Sequence, residues 1–350
     1  MAPTAPMIAD GERPALPPLA RVAILRALPG LGDFLCAVPA LRAFRAAYPA
    51  THITLIGLPQ TAALVGRFRR EVDSFVAFPG YPGLTEQPTP DPRAVVSFLA
   101  ASRAQGWDLA IQMHGSGGLT NPIVGLLGAK VTAGYYVPGQ PCPDLARYLP
   151  YPDDLPDVWR NLRLAAFLGA ASDDPTLTFP ITREDRHAFL ALAAARDLVP
   201  GSFAVVHPGA SVGTRRWSPE RFARVADGLV ARGLAVVLTG TGSEAPLTRA
   251  VAAAMTHPAL DLAGETGLGP LAVLLTRARL VVCNDTGVSH LATALRVPSV
   301  VLFTGSDPAR WAPLDRARHR VLIGGAAVPA ELVLAEATAL LAHTGPGHGE

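Results

Sequence analysis

The chain has 350 residues, 49% of them hydrophobic and 17% charged, enough for two ordinary cores, since single cores usually stop growing well before this length. A net charge of +2 and only 6% aromatic residues supply neither a basic stripe nor a stacking platform. Nucleic acid is therefore excluded as the expected partner and a small ligand fits better. Cys36, Cys142 and Cys283 are widely spaced and form no C-x-x-C pair, which argues against a zinc knuckle and a disulfide framework and fits a reducing cytoplasm.

In chain order, residues 1–20 hold prolines, Asp10 and Glu12 and read as a flexible tail, not a signal peptide. Residues 22–25 and 52–56 form aliphatic runs predicting strands, each followed by a helical pattern, at 35–48 and 61–68. Asp91 and Pro92 are an N-cap and first-turn pair for a helix through Arg103, and 109–112 predicts another strand. Six prolines between Tyr135 and Pro156 read as loop and linker. A helix around 159–168 and a proline-punctuated stretch at 173–180 follow.

A second alternating unit has strands near 204–206, 235–238, 280–283 and 299–302. Ser218-Pro219 starts one helix between them and 270–276 forms another. A last helix at about 329–341 is assignable to either domain, and 344–350 should fray. The organisation predicted is a tail at 1–20, an N-terminal domain at 21–181, a C-terminal domain at 182–325, and a helix and tail at 326–350. No run reaches the roughly eighteen apolar residues of a spanning helix, because Arg277 and Arg279 interrupt the most apolar one. Membrane contact is thereby reduced to peripheral contact with the inner membrane surface. Repeated β-α alternation predicts the α/β class, with parallel sheets covered on both faces and ligands beyond the carboxyl ends of the strands.

Four strand-end loops carry candidate chemistry. Gly30-Leu31-Gly32-Asp33 is not a dinucleotide fingerprint, because an acid follows the second glycine where bare amides should meet a pyrophosphate. Asp33 can accept a proton from a hydroxyl nucleophile; a plain N-cap explains it equally well. The loop from His207 to Pro219 offers amides, the Thr214 hydroxyl and the Arg215 guanidinium to a diphosphate. Its position after a strand favours that reading over a solvated Arg215-Arg216 pair, and Trp217 is assigned to packing. In Gly240-Thr241-Gly242-Ser243-Glu244 the acid suits ribose hydroxyls or the helix dipole. The amides of Asn284-Asp285-Thr286-Gly287-Val288-Ser289-His290 suit an anion, with His290 an interior histidine. Thr304-Gly305-Ser306-Asp307 closes the series and should line the same cleft.

Taken in order, Gly30-Leu31-Gly32-Asp33, the loop ending Arg215-Arg216-Trp217-Ser218-Pro219, Leu262-Ala263-Gly264, and Asn284-Asp285-Thr286-Gly287 with Ser289-His290-Leu291 resemble the ADP-heptose:lipopolysaccharide heptosyltransferases, glycosyltransferase family 9. The motifs span most of residues 21–315, and the last block, with Pro298 and Phe303-Thr304-Gly305, is the most specific. The resemblance implies a GT-B fold: two Rossmann-like domains with parallel sheets facing across a cleft. It also implies inverting, metal-independent transfer of a heptose from a nucleotide-diphosphate donor, ADP-heptose, to a lipopolysaccharide core or other cell-surface glycan.

By the same resemblance Asp33 takes the general-base position and Glu244 that of the ribose-binding acid, while Thr214, Arg215, Arg216, Asn284, Asp285, Thr286 and Gly287 contact the donor. Arg215 stands where many members have lysine; it offers a planar fork instead of a point charge, and with Lys130 the only lysine in the chain compositional drift explains the change. His114 to Asn121 resembles a strand-end loop of a subset of the family, which puts His114 and Asn121, with Gly32, on the acceptor side. The chain has no Asp-x-Asp triplet, so no metal and no cofactor are expected, and helix dipoles and arginines would stabilise the leaving diphosphate. Three rival readings stand beside this one. They are a dinucleotide oxidoreductase, a transferase for another nucleotide sugar and a glycan that is not lipopolysaccharide, and a non-catalytic sugar-nucleotide-binding protein.

Overall fold

The computed structural model of the protein describes residues 13–84, 90–192 and 197–343. Most of the expected tail at 1–20 and all of the segment 344–350 lie outside them. The described residues fall into two compact units that divide between Thr176 and Leu177.

The first unit runs β1 (Arg21–Leu25), α1 (Leu31–Ala47), β2 (His52–Gly57), α2 (Ala62–Val65), β3 (Ser74–Ala77), α3 (Pro92–Arg103), β4 (Leu109–Gln112), α4 (Thr120–Leu126), β5 (Val131–Tyr136), β6 (Tyr148–Pro150) and α5 (Asp157–Phe167). Among the described residues its strands form one sheet in the order β3-β2-β1-β4-β5-β6, paired in parallel throughout. The aliphatic runs of β1, β2 and β4 are buried on both faces, as strands under helices on either side must be. α3 starts as expected: Asp91 accepts from the Arg93 amide at 2.9 Å and Pro92 occupies the first turn.

Two expectations are corrected here. The helix read over 61–68 contracts to a 3-10 turn at Pro59–Thr61 and α2, because Gly66 ends it. The proline-rich stretch 135–156 is not simply linker: it holds the end of β5 and all of β6. Proline is tolerated there because β6 is the edge strand and Pro150 its last residue.

The second unit continues with α6 (Arg183–Ala191), β7 (Phe203–His207), α7 (Pro219–Val230), β8 (Ala235–Leu238), α8 (Ala245–Ala254), β9 (Leu260–Asp261), α9 (Leu268–Arg277), β10 (Leu280–Asn284), α10 (Gly287–Ala294), β11 (Ser299–Phe303), α11 (Pro308–Trp311), β12 (His319–Ile323) and α12 (Ala330–His343). Its sheet order is β12-β11-β10-β7-β8-β9, the first unit's order repeated. α12 packs on α7 and the sheet, burying Val333, Ala337 and Leu340, so the last helix belongs to this unit. Both sheets have the doubly wound Rossmann-like order, whose direction reverses between β1 and β4 and between β7 and β10. Ligands of such sheets bind beyond the carboxyl ends at that reversal.

Candidate functional site

In the first unit the reversal point is flanked by the loops after β1 and β4. Gly30, and not Asp33, is the N-cap of α1. Asp33 is the third helical residue, and its Oδ2 accepts from the Gly30 amide at 3.2 Å. The cap expectation is corrected accordingly, since the carboxylate folds back over the loop from inside the first turn. A Cβ on Gly30 would lie 2.3 Å from that oxygen, so only glycine leaves the carboxylate its place. Gly32, in the same turn, is buried.

The loop rests on Arg26, a buried arginine directly after β1. Its Nε and Nη2 donate to the Asp33 carbonyl at 2.9 and 2.5 Å, and Nη1 donates to the Met113 carbonyl at 2.8 Å. Nη2 also pairs with the Asp157 carboxylate at 3.0 Å, both side chains being buried. A cavity the size of a single water, lined by Arg26, Met113, Gly115 and Asn161 among others, lies beside this group.

His114 and Asn121, expected on the acceptor side, are both buried. His114 Nδ1 accepts from the Ala27 amide at 3.1 Å, tying the loop after β4 to the loop after β1. Asn121 donates to the Tyr135 carbonyl at 2.9 Å beneath Gly117, where a Cβ would clash. Both shape the loops that a ligand would meet.

In the second unit the reversal point is flanked by the loops after β7 and β10. Asn284, the last residue of β10, is fully buried. Its Oδ1 accepts from the Trp217 amide at 3.1 Å, and its Nδ2 donates to the carbonyls of Pro208 and Gly209 at 2.8 and 3.4 Å. The expected donor contact is thus an internal staple, because no part of its amide faces outward. Thr214 and Arg216 are exposed and Arg215 half-buried, in a 3-10 turn at Gly213–Arg215. Arg216 Nε is bonded to the Ala210 carbonyl at 2.9 Å. The loop after β11 lies against this turn, Gly305 facing the Thr214 carbonyl and the Arg215 stem.

Glu244 is buried and accepts through Oε2 from the Thr241 amide and hydroxyl at 2.8 and 2.9 Å, while its other oxygen crowds Gly209, where a Cβ would lie 2.3 Å away. Asp285, also buried, accepts a hydrogen bond from the Ser306 hydroxyl. Thr286 is the N-cap residue of α10 and makes no side-chain cap bond, while the Ser289 amide donates to the Thr286 carbonyl at 3.0 Å; the start of a helix in this position is the usual anion-binding arrangement. His290 is interior, edge-on to Trp311, and Trp217 is buried with its indole N–H on the Val328 carbonyl at 3.2 Å. Four strand-end loops are therefore interlocked at one end of this sheet, carrying hydroxyls, amides, a guanidinium and two carboxylates.

Arg26, Asp157 and Asn161 stand in no motif legible in the sequence. The available signal was an arginine where the apolar run of β1 ends, but its partners lie 131 and 135 residues away.

Residues 95–343 match the sequence model of glycosyltransferase family 9 (heptosyltransferase). The chain belongs to that family. Over 124 residues it is 32% identical to a lipooligosaccharide heptosyltransferase 2 of Haemophilus influenzae, a match covering 34% of this chain and 36% of the relative; the match thus spans about a third of that relative's length. The family 9 glycosyl transferase structure from Veillonella parvula superposes with a TM-score of 0.76 at 22% identity, covering 93% of this chain and 97% of that one. An E. coli heptosyltransferase solved with ADP gives 0.66 at 20%, covering 92% and 99%. The two Rossmann-like sheets of family 9 are thus the GT-B fold expected from sequence. Among the described residues no helix is long and apolar enough to cross a membrane, and no cluster of His, Cys, Asp and Glu could hold a metal ion.

Proposed function

We propose that this family 9 member transfers a heptose, with inversion, from ADP-heptose to a lipopolysaccharide core acceptor. The observation that carries this reading is the interlocked set of loops beyond β7, β8, β10 and β11, at the point where the sheet order reverses. Arg215, Thr214 and the N-terminal end of α10 suit a diphosphate, and Glu244 suits the ribose. The E. coli neighbour of the same fold was solved with ADP, in keeping with that assignment.

In an inverting transfer the acceptor hydroxyl attacks the anomeric carbon opposite the leaving diphosphate and loses its proton to a base. Asp33, half-buried at the start of α1, is assigned that role. Charge building on the leaving diphosphate is met by Arg215 and helix amides, donors placed where that charge develops. Acceptor binding belongs to the first unit's strand-end loops, and contact with the membrane that carries a glycolipid acceptor is peripheral.

The test is turnover of ADP-heptose with a heptose-deficient lipopolysaccharide acceptor by the wild type and Asp33→Asn. General-base assistance is worth about a hundredfold to ten-thousandfold, so the variant should lose that much kcat while retaining ADP affinity. Turnover within a few-fold of wild type would remove Asp33 from the chemistry. No transfer by the wild type would remove the donor or the acceptor.

A further inference from the structure

Beyond these assignments, and resting on the reading of Asp33 as base, we propose that the buried Arg26–Asp157 pair is the positioning device that fixes the catalytic loop against the rest of the first unit. Arg26 is 5% exposed, and each of its three guanidinium nitrogens is bonded within the protein, so it is not a substrate ligand. Its fork holds the carbonyl of Asp33 from two nitrogens, while Nη1 reaches the Met113 carbonyl at the end of β4. One rigid planar group thereby sets the distance between the two loops that flank the reversal point.

The far side of the fork is anchored in α5. Asp157 pairs with Nη2 at 3.0 Å and Asn161 Oδ1 accepts from Nη1 at 3.2 Å. Asn161 in turn donates to the Cys36 carbonyl of α1 at 3.1 Å and to the Asp157 carbonyl at 2.8 Å. The helix carrying Asp33 is thus held twice by α5, once through Arg26 and once directly. A buried pair of this kind contributes little net stability compared with an apolar substitute. What it supplies is direction: a guanidinium aimed at one carbonyl of the residue whose carboxylate must meet the acceptor, and misplacement of a reacting group by about 1 Å is worth a hundredfold in rate.

Arg26→Lys keeps the charge and loses the fork, and Asp157→Asn keeps the shape and loses the anchor. Each should lower kcat with ADP-heptose and the heptose-deficient acceptor by about tenfold to a hundredfold, with the donor KM and the ADP affinity of the second unit within about twofold of wild type. The decisive measurement is the cycle with Asp33→Asn under single-turnover conditions. If Arg26 acts through Asp33, Arg26→Lys should change the rate of the Asp33→Asn enzyme by less than about threefold. Losses that multiply would show a general structural defect and overturn the proposal, as would wild-type kcat in both Arg26→Lys and Asp157→Asn. If one variant fails to fold, the other carries the cycle. Wild-type turnover by Asp33→Asn alone would instead overturn the general-base reading, and this inference with it.

Discussion

At the scale of single residues, the sites turn on glycines that give room to carboxylates. Gly30 has φ −81° and ψ 140°, a conformation alanine adopts without strain, so Gly30→Ala acts only through its methyl group, which would displace the Asp33 carboxylate. Stability should change little, because the lost hydrogen bond, about 0.5–1.5 kcal/mol, is offset by about 0.4–1 kcal/mol from a less flexible unfolded chain. We expect kcat to fall at least tenfold with an unchanged melting temperature; normal turnover would show that the carboxylate has no need of its present seat. Arg215 belongs to the same scale. Removing a charge-assisted contact to a phosphate costs roughly 1.5–3 kcal/mol, so calorimetry on Arg215→Ala should show ADP binding weakened by that amount. Unchanged affinity would take Arg215 out of the donor site.

At the scale of elements, the strand-end loops are built by staples, and Asn284 is the one with most at stake. Asn284→Ala would strand the Trp217 amide and the Pro208 and Gly209 carbonyls in a buried place, at roughly 1–3 kcal/mol for each group left unpaired. The melting temperature of the second unit should drop by at least several degrees, a unit of this size losing about 2–4 °C per kcal/mol. Asn284→Asp, although the same size, should be no better, since a carboxylate cannot donate to two carbonyls and is itself costly to bury. A wild-type melting temperature for Asn284→Ala would refute the staple.

The same element shows what a sequence can and cannot disclose. The glycine-rich blocks after β7, β8 and β10 are legible because only loops at strand ends need such residues, and the apolar runs of β1, β7 and β10 are legible because they are buried on both faces. That double burial also hides which way Asn284 points, as alternation carries no information in a strand without a wet face. The short edge strand β6 is hidden among prolines, and α1 begins four residues before its apolar pattern, which places Asp33 inside the first turn instead of at the cap. Arg26 and Asp157 meet only through tertiary structure, with 131 residues between them.

At the scale of the whole molecule, acid should weaken the second unit through two buried histidines. His207 is pushed down to about 4 by burial against the opposing pull of Glu244, with its Nδ1 beside the Thr239 hydroxyl at 3.1 Å. His319 is likewise pushed down to about 4 by burial, Asp315 opposing, and its Nδ1 lies 2.8 Å from the Ser299 hydroxyl. Folded, both stay neutral until the pH nears 4, whereas in the unfolded chain both take a proton below about 6.5. Between those values the unfolded state binds more protons, so stability is full above pH 6.5 and falls as the pH drops toward 4. His319 contributes a loss of roughly 3 kcal/mol over that interval, at about 1.36 kcal/mol per pH unit of displacement, and His207 adds a loss in the same direction. Asp227 and Asp315, whose carboxyls are held below the usual range because backbone amide bonds and neighbouring side chains outweigh the upward push of burial, add their loss only at lower pH, after the histidines have acted. Denaturant unfolding from pH 7 to 4.5 should therefore show a steady decline in stability, with amide protection lost in peptides of 177–343. His319→Asn, which keeps a polar partner for Ser299 but cannot take the proton, should make the slope clearly shallower whatever it does to stability at pH 7. An unchanged slope in that variant, or stability independent of pH across the interval, would rule out the buried histidines as the source.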